Sequence, residues 1–160
     1  MARLETTDGG WLELTPVGFQ FAKGDPYNWL NIEFLCDFGD RRRRPTIDPA
    51  FTISELRSLV SWIRRVLDGT LEVRNHFMGI EPNFQLRLLA YRPRSVELEI
   101  WLEQEWHLRP AGLTEPVVAA VTRHRLKIFA DELQSNVHDF SEGRRAILSR
   151  RQVRQSPDSP

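Results

Sequence analysis

The chain has 160 residues, 41% of them hydrophobic, and its 22 lysines and arginines balance its 22 aspartates and glutamates. This length supports one hydrophobic core, so we predict one domain. No apolar run approaches the roughly 18 to 20 residues that span a bilayer, and no secretion signal begins the chain, which predicts a cytoplasmic protein without membrane contact. The single cysteine, Cys36, excludes an intramolecular disulfide.

Charge is distributed unevenly along the chain. We predict a single α+β domain over residues 1–143, followed by a basic tail over 144–160 that ends in Ser and Pro and is partly disordered. The charged residues of the tail are arginines apart from one acid: Arg144, Arg145, Arg150, Arg151, Arg154 and Asp158. The domain before the tail is therefore mildly acidic.

Alternating polar and apolar residues predict two strands, over 11–21 and 29–36, on either side of the turn-forming segment GDPYN. Because side chains alternate between the two faces of a strand, four residues of the second strand are expected in the core: Leu30, Ile32, Phe34 and Cys36. Trp29 and Glu33 then lie on the other face.

Four consecutive arginines, Arg41 to Arg44, occur in the segment GDRRRRPTIDP, which favours a loop or a sheet edge before the first helix. A basic run can bind phosphates, but Asp37, Asp40 and Asp48 offset much of this charge. We therefore interpret the run as solvated surface and do not predict nucleic acid as a partner.

The first helix has the clearest local signal. Thr52 and Glu55 have the T-x-x-E spacing of a capping box, and apolar residues from Leu56 to Leu67 repeat at helical spacing. Gly69 ends the helix. A second helix is predicted after the short strand PVVAAV, with Thr122 as its N-cap and apolar residues that repeat up to Phe140.

Between the helices, residues 71–80, NFQLRLLAY and SVELEIWLEQEW predict three more strands, the last two joined by a tight turn over 92–94. In this hairpin Arg87 and Gln85 lie across from Glu99 and Trp101. One face of the last strand carries four carboxylates and a tryptophan: Glu97, Glu99, Trp101, Glu103 and Glu105. The resulting fold is α+β, an antiparallel sheet of about six strands with two main helices packed on one face.

No catalytic pattern accompanies these elements. The chain has neither a phosphate-binding glycine loop nor a nucleophile beside a base, and its histidines are too far apart in sequence to suggest a metal site. We therefore predict no catalytic residue, cofactor or metal. An alternative stays open, in which a small-molecule-binding or hydrolytic α+β domain has a pocket near Glu81 and His107.

The row of carboxylates is the most function-like feature, because like charges on one strand face need solvent or cationic partners. A solvated face, a glycosidase pair and a protein-binding surface all fit the spacing. We favour protein binding, with carboxylates that attract a basic partner and tryptophans that anchor it. Arg87 belongs to this surface, and so do Trp29 and Glu33 if their strand lies next to the acidic one.

The order of these parts resembles the WapI-type family of small bacterial immunity proteins over about residues 11–143. The resemblance rests on the early W-L strands, the capped helix, Glu81-Pro82 before F-Q-L-R-L, the strand VELEIWLEQEW and the helix LKIFADELQSNVHDF. It implies a non-enzymatic protein that neutralises a toxin by covering it. A basic toxin domain is accordingly the expected partner.

Overall fold

The structure is a computed structural model that describes residues 1–21, 28–39, 41–80, 84–102 and 116–141. Within these ranges the elements follow in the order β1 (Ala2–Glu5), β2 (Trp11–Phe19), β3 (Leu30–Phe38), β4 (Arg41–Phe51), α1 (Ile53–Leu67), β5 (His76–Met78), β6 (Phe84–Tyr91), β7 (Ser95–Leu102), β8 (Val117–Thr122) and α2 (Arg123–Ser141). No helix in the described ranges is long and apolar enough to cross a bilayer.

The strands form two four-stranded antiparallel sheets, a first sheet β1-β2-β3-β4 and a second sheet β5-β6-β7-β8. The α+β class is confirmed, but the single sheet of about six strands is wrong. Two strands add to the predicted set, because β1 begins at Ala2 and the arginine run belongs to β4, an edge strand of the first sheet. The helix α1 follows β4 directly and separates the two sets of strands along the chain.

The inner faces of both sheets share one hydrophobic core with the helices, so the helices do not cover one face of a single sheet. Aromatic rings make the contact between the sheets. The ring of Phe84 in β6 lies 6.4 Å from that of Phe34 in β3 and 5.9 Å from that of Phe51 in β4, between ring centroids. Phe51 also lies 6.3 Å from Phe77 in β5.

The capping box predicted for α1 is present. The Thr52 hydroxyl accepts a hydrogen bond from the Glu55 backbone N–H at 3.2 Å, and the Glu55 carboxylate accepts one from the Thr52 N–H at 2.8 Å. The other oxygen of this buried carboxylate accepts from the Ile80 N–H at 2.6 Å. Glu55 therefore joins the start of α1 to the segment that follows β5.

As predicted, the helix α2 begins after Thr122. The Thr122 hydroxyl accepts a hydrogen bond from the Arg125 N–H at 3.2 Å. Arginines at a helix N-terminus are unfavourable for the helix dipole. In α2 the two arginines of the first turn instead make contacts with other parts of the fold. Arg123 donates to the Leu67 carbonyl at the end of α1 at 2.6 Å. Arg125 donates to the Thr6 carbonyl at 3.1 Å and forms an ion pair with Glu5 at 3.1 Å.

The turn between β1 and β2 gives a pH-dependent contribution to stability. The Thr6 hydroxyl, which donates to the Asp8 carboxylate, holds the pKa of that carboxyl below its ordinary value of 3.8. A lowered pKa in the folded state stabilises the fold above pH 3.8, and this gain is lost as the pH falls through the lowered value.

We therefore expect Asp8→Ala to lower the free energy of unfolding by about 0.5 kcal/mol at pH 7, the size of one exposed hydrogen bond. Urea unfolding at neutral pH and at a series of acidic pH values measures the effect, which should shrink as the pH falls through the lowered pKa of Asp8. An effect that stays constant over this pH range would show that the charge of Asp8 has no role.

Candidate partner-binding surface

The hairpin of β6 and β7 has the predicted register. The Arg92 N–H donates to the Ser95 carbonyl at 2.9 Å in the turn. Arg87 pairs with Glu99, and Gln85 pairs with Trp101. The inward-facing residues of β7 are buried. In β6, a register shift after Leu88 leaves Ala90 only partly buried.

The neighbouring strands extend these cross-strand rows. Met78 in β5 pairs with Gln85, and Val118 in β8 pairs with Glu99. We define the outer face of the second sheet as the residues that these rows place away from the core: His76, Met78, Gln85, Arg87, Glu97, Glu99, Trp101 and Val118.

Glu99 is the centre of the polar contacts on this outer face. Its Oε2 lies 3.0 Å from Nη1 of Arg87 and accepts a hydrogen bond from Nε1 of Trp101 at 3.0 Å. The Glu99 side chain is only 14% exposed, whereas that of Arg87 is 45% exposed. The arginine therefore neutralises the carboxylate, and the carboxylate orients the indole ring.

Glu97 also has a cationic partner. Its Oε2 lies 2.9 Å from Nη2 of Arg92, which the turn brings back over the strand. Both glutamates of β7 in the described range are thus matched by an arginine. The sequence predicted a row of carboxylates with Arg87 on the same surface. It gave no indication that Arg92 would pair with Glu97.

Exposed apolar side chains flank the charged pairs. Met78 is 55% exposed and Val118 is 54% exposed. Neither residue was predicted to belong to the surface, although the alternation within PVVAAV places Val118 on the face opposite to the buried Ala119 and Val121. Together with Trp101, these exposed side chains give both edges of the outer face apolar area that a partner could cover.

The profile of the immunity protein WapI-like family matches residues 3–141 of the chain. The chain belongs to the immunity protein WapI-like family. This membership confirms the resemblance found in the sequence and indicates an immunity function. Neither the curated proteins nor the solved structures give a significant match to the chain.

In this WapI-like protein, Trp29 and Glu33 do not join the outer face of the second sheet. Trp29 directly precedes β3, and Glu33 lies within β3, opposite Thr15 and Ile47 of the first sheet. The condition that their strand lies next to the acidic strand is not met, since β3 pairs with β2 and β4. Other predicted residues lie outside the described ranges: Glu81, Glu103, Glu105 and His107.

The outer side of the first sheet differs in its charge pairing. Arg3 lies over the Trp11 ring at 4.3 Å from its centroid and pairs with Glu5 at 3.4 Å. Among the arginines and lysines whose side chains the structure describes, none forms an ion pair with Glu13 or Glu33. Among the described side chains, the glutamates of β2 and β3 thus differ from those of β7, which are paired with arginines.

The described residues offer few groups for other chemistry. No group of three His, Cys, Asp or Glu residues within them could hold a metal ion. Cys36 is buried in the core, as predicted, where a thiol acts as a small hydrophobic side chain. Among the described residues, the outer face of the second sheet is therefore the candidate site, as a surface that could bind a partner.

Proposed function

We propose that this WapI-like immunity protein neutralises a cognate bacterial toxin in the cytoplasm by binding it, without catalysing a reaction. The outer face of the second sheet is the proposed contact surface. The observation that carries the proposal is the array of Arg87, Glu99 and Trp101, which is hydrogen-bonded and lies between exposed Met78 and Val118.

Such an array suits binding because its side chains are already ordered. Immobilising a flexible side chain at an interface costs about 0.5 to 1.5 kcal/mol, and the contacts of Glu99 reduce that cost for Arg87 and Trp101. Tryptophan and arginine are also the side chains that most often dominate binding energy. A paired arginine and glutamate add selectivity, since a partner must leave both charges satisfied.

The test is the Trp101→Ala variant, titrated against the cognate toxin domain. We expect Trp101→Ala to weaken binding by about 30-fold, or about 2 kcal/mol, because alanine cannot bury the apolar area that the Trp101 ring buries in the complex. Isothermal titration calorimetry gives the affinity, and growth of cells that express both proteins gives the protection.

The matched control is Trp11→Ala, which removes a partly exposed tryptophan from the first sheet. It should bind the toxin domain as the wild type does, once thermal unfolding has shown that both variants are folded. A wild-type protein that neither binds nor protects contradicts the neutralisation. Equal weakening by both variants contradicts the proposed surface.

A further inference from the structure

We infer that the toxin surface that docks on the outer face of the second sheet carries little net charge and places apolar side chains against Met78, Trp101 and Val118. This inference rests on the proposed function, because it concerns the partner of the same face. It replaces the basic partner that the acidic sequence of β7 suggested.

The charged side chains of this face are already paired with one another. Arg87 and Arg92 lie at 3.0 Å and 2.9 Å from Glu99 and Glu97, so these four side chains together carry no net charge. A basic toxin surface would have to bring further cations beside the two arginines or break their ion pairs. Either arrangement leaves charge poorly compensated in an interface from which water is excluded, which is unfavourable.

The exposed apolar residues of this face lie beside the Arg87–Glu99 pair. Met78 and Trp101 lie on either side of Gln85 in one cross-strand row, and Val118 lies beside Glu99 in the next row. Directly opposite side chains in a sheet have Cβ atoms about 4.5 to 5.5 Å apart, so each of these rows places apolar side chains within one or two strands of the Arg87–Glu99 pair. A partner with apolar side chains can cover them and leave that pair intact.

The first sheet provides the contrast. Its Glu13 and Glu33 form no ion pair with any arginine or lysine whose side chain the structure describes, unlike Glu97 and Glu99 of the second sheet. Val118 and Ile47 make this difference measurable. Both are β-branched residues of edge strands, and they are 54% and 51% exposed, the first on the second sheet and the second on the first sheet.

The experiment titrates the full chain against the cognate toxin domain. Val118→Asp and Val118→Lys should each weaken binding by about tenfold or more, because both place a charge against an apolar surface. Ile47→Asp should change the affinity by less than about twofold, as expected for a residue outside the interface. The wild-type affinity should fall by less than about threefold between low and high salt, since few net charges meet.

A basic toxin surface gives a different pattern. It would tolerate Val118→Asp, reject Val118→Lys and show an affinity that falls steeply with salt. That pattern overturns the inference and leaves the proposed neutralisation intact. The inference is also overturned if both Val118 variants unfold at the wild-type temperature and bind the toxin domain with wild-type affinity. A wild-type chain that binds no toxin domain overturns both the proposed function and this inference.

Discussion

Phe84→Ala is expected to lower the free energy of unfolding by about 3 to 5 kcal/mol, the range for a buried phenylalanine replaced by alanine. The Phe84 side chain is fully buried, and its ring contacts those of Phe34 and Phe51. The cavity would therefore form where the two sheets meet. Since small domains have only about 5 to 15 kcal/mol of stability, the loss would be a large fraction of the total. Urea unfolding followed by tryptophan fluorescence measures it.

The control for this prediction is Phe21→Ala. Phe21 is 50% exposed, so its replacement should change the free energy of unfolding by less than about 0.5 kcal/mol. If the two variants were equally stable, the contact between the sheets would contribute little to the fold, and the shared core would not explain why the sheets stay together.

Glu55→Ala has the second largest expected effect, a loss of about 2 to 3 kcal/mol of stability. The variant loses the capping box, usually worth about 0.5 to 2 kcal/mol, and also leaves the Ile80 N–H without its acceptor. The same urea titration measures this loss, and circular dichroism reports whether the variant remains helical.

Thr52→Ala separates the two contributions of Glu55. It removes only the side-chain half of the cap, so we expect a loss of about 1 kcal/mol while the bond to the Ile80 N–H persists. If Thr52→Ala and Glu55→Ala had the same stability, the bond between the start of α1 and the segment after β5 would add nothing.

The hairpin shows how much of the candidate surface could be predicted from the sequence. The turn over 92–94 and the alternation on both sides of it set the register, so Arg87 was correctly placed opposite Glu99. This prediction succeeded because both strands and their turn lie close together in the chain, where local spacing determines which residues pair. The exposure of Val118 follows from the same kind of alternation.

The charge state of the surface could not be predicted in the same way. Whether Arg92 reaches Glu97 depends on the path of one side chain past the turn, which the alternation of residues does not specify. Trp29 and Glu33 illustrate a larger limit. Their strand has a clear pattern, but nothing in that pattern shows whether β3 pairs with β7 or belongs to another sheet.

By itself, the sequence determined the α+β class, both capped helices, the β6–β7 register and the buried face of β3. These features depend on capping residues, turns and hydrophobic periodicity over short stretches of chain. Only the tertiary structure decided that the strands divide into two sheets and that Arg87 and Arg92 neutralise Glu99 and Glu97 of β7. Those outcomes depend on contacts between segments that are far apart in the chain or on the paths of individual side chains, and periodicity carries no information about either.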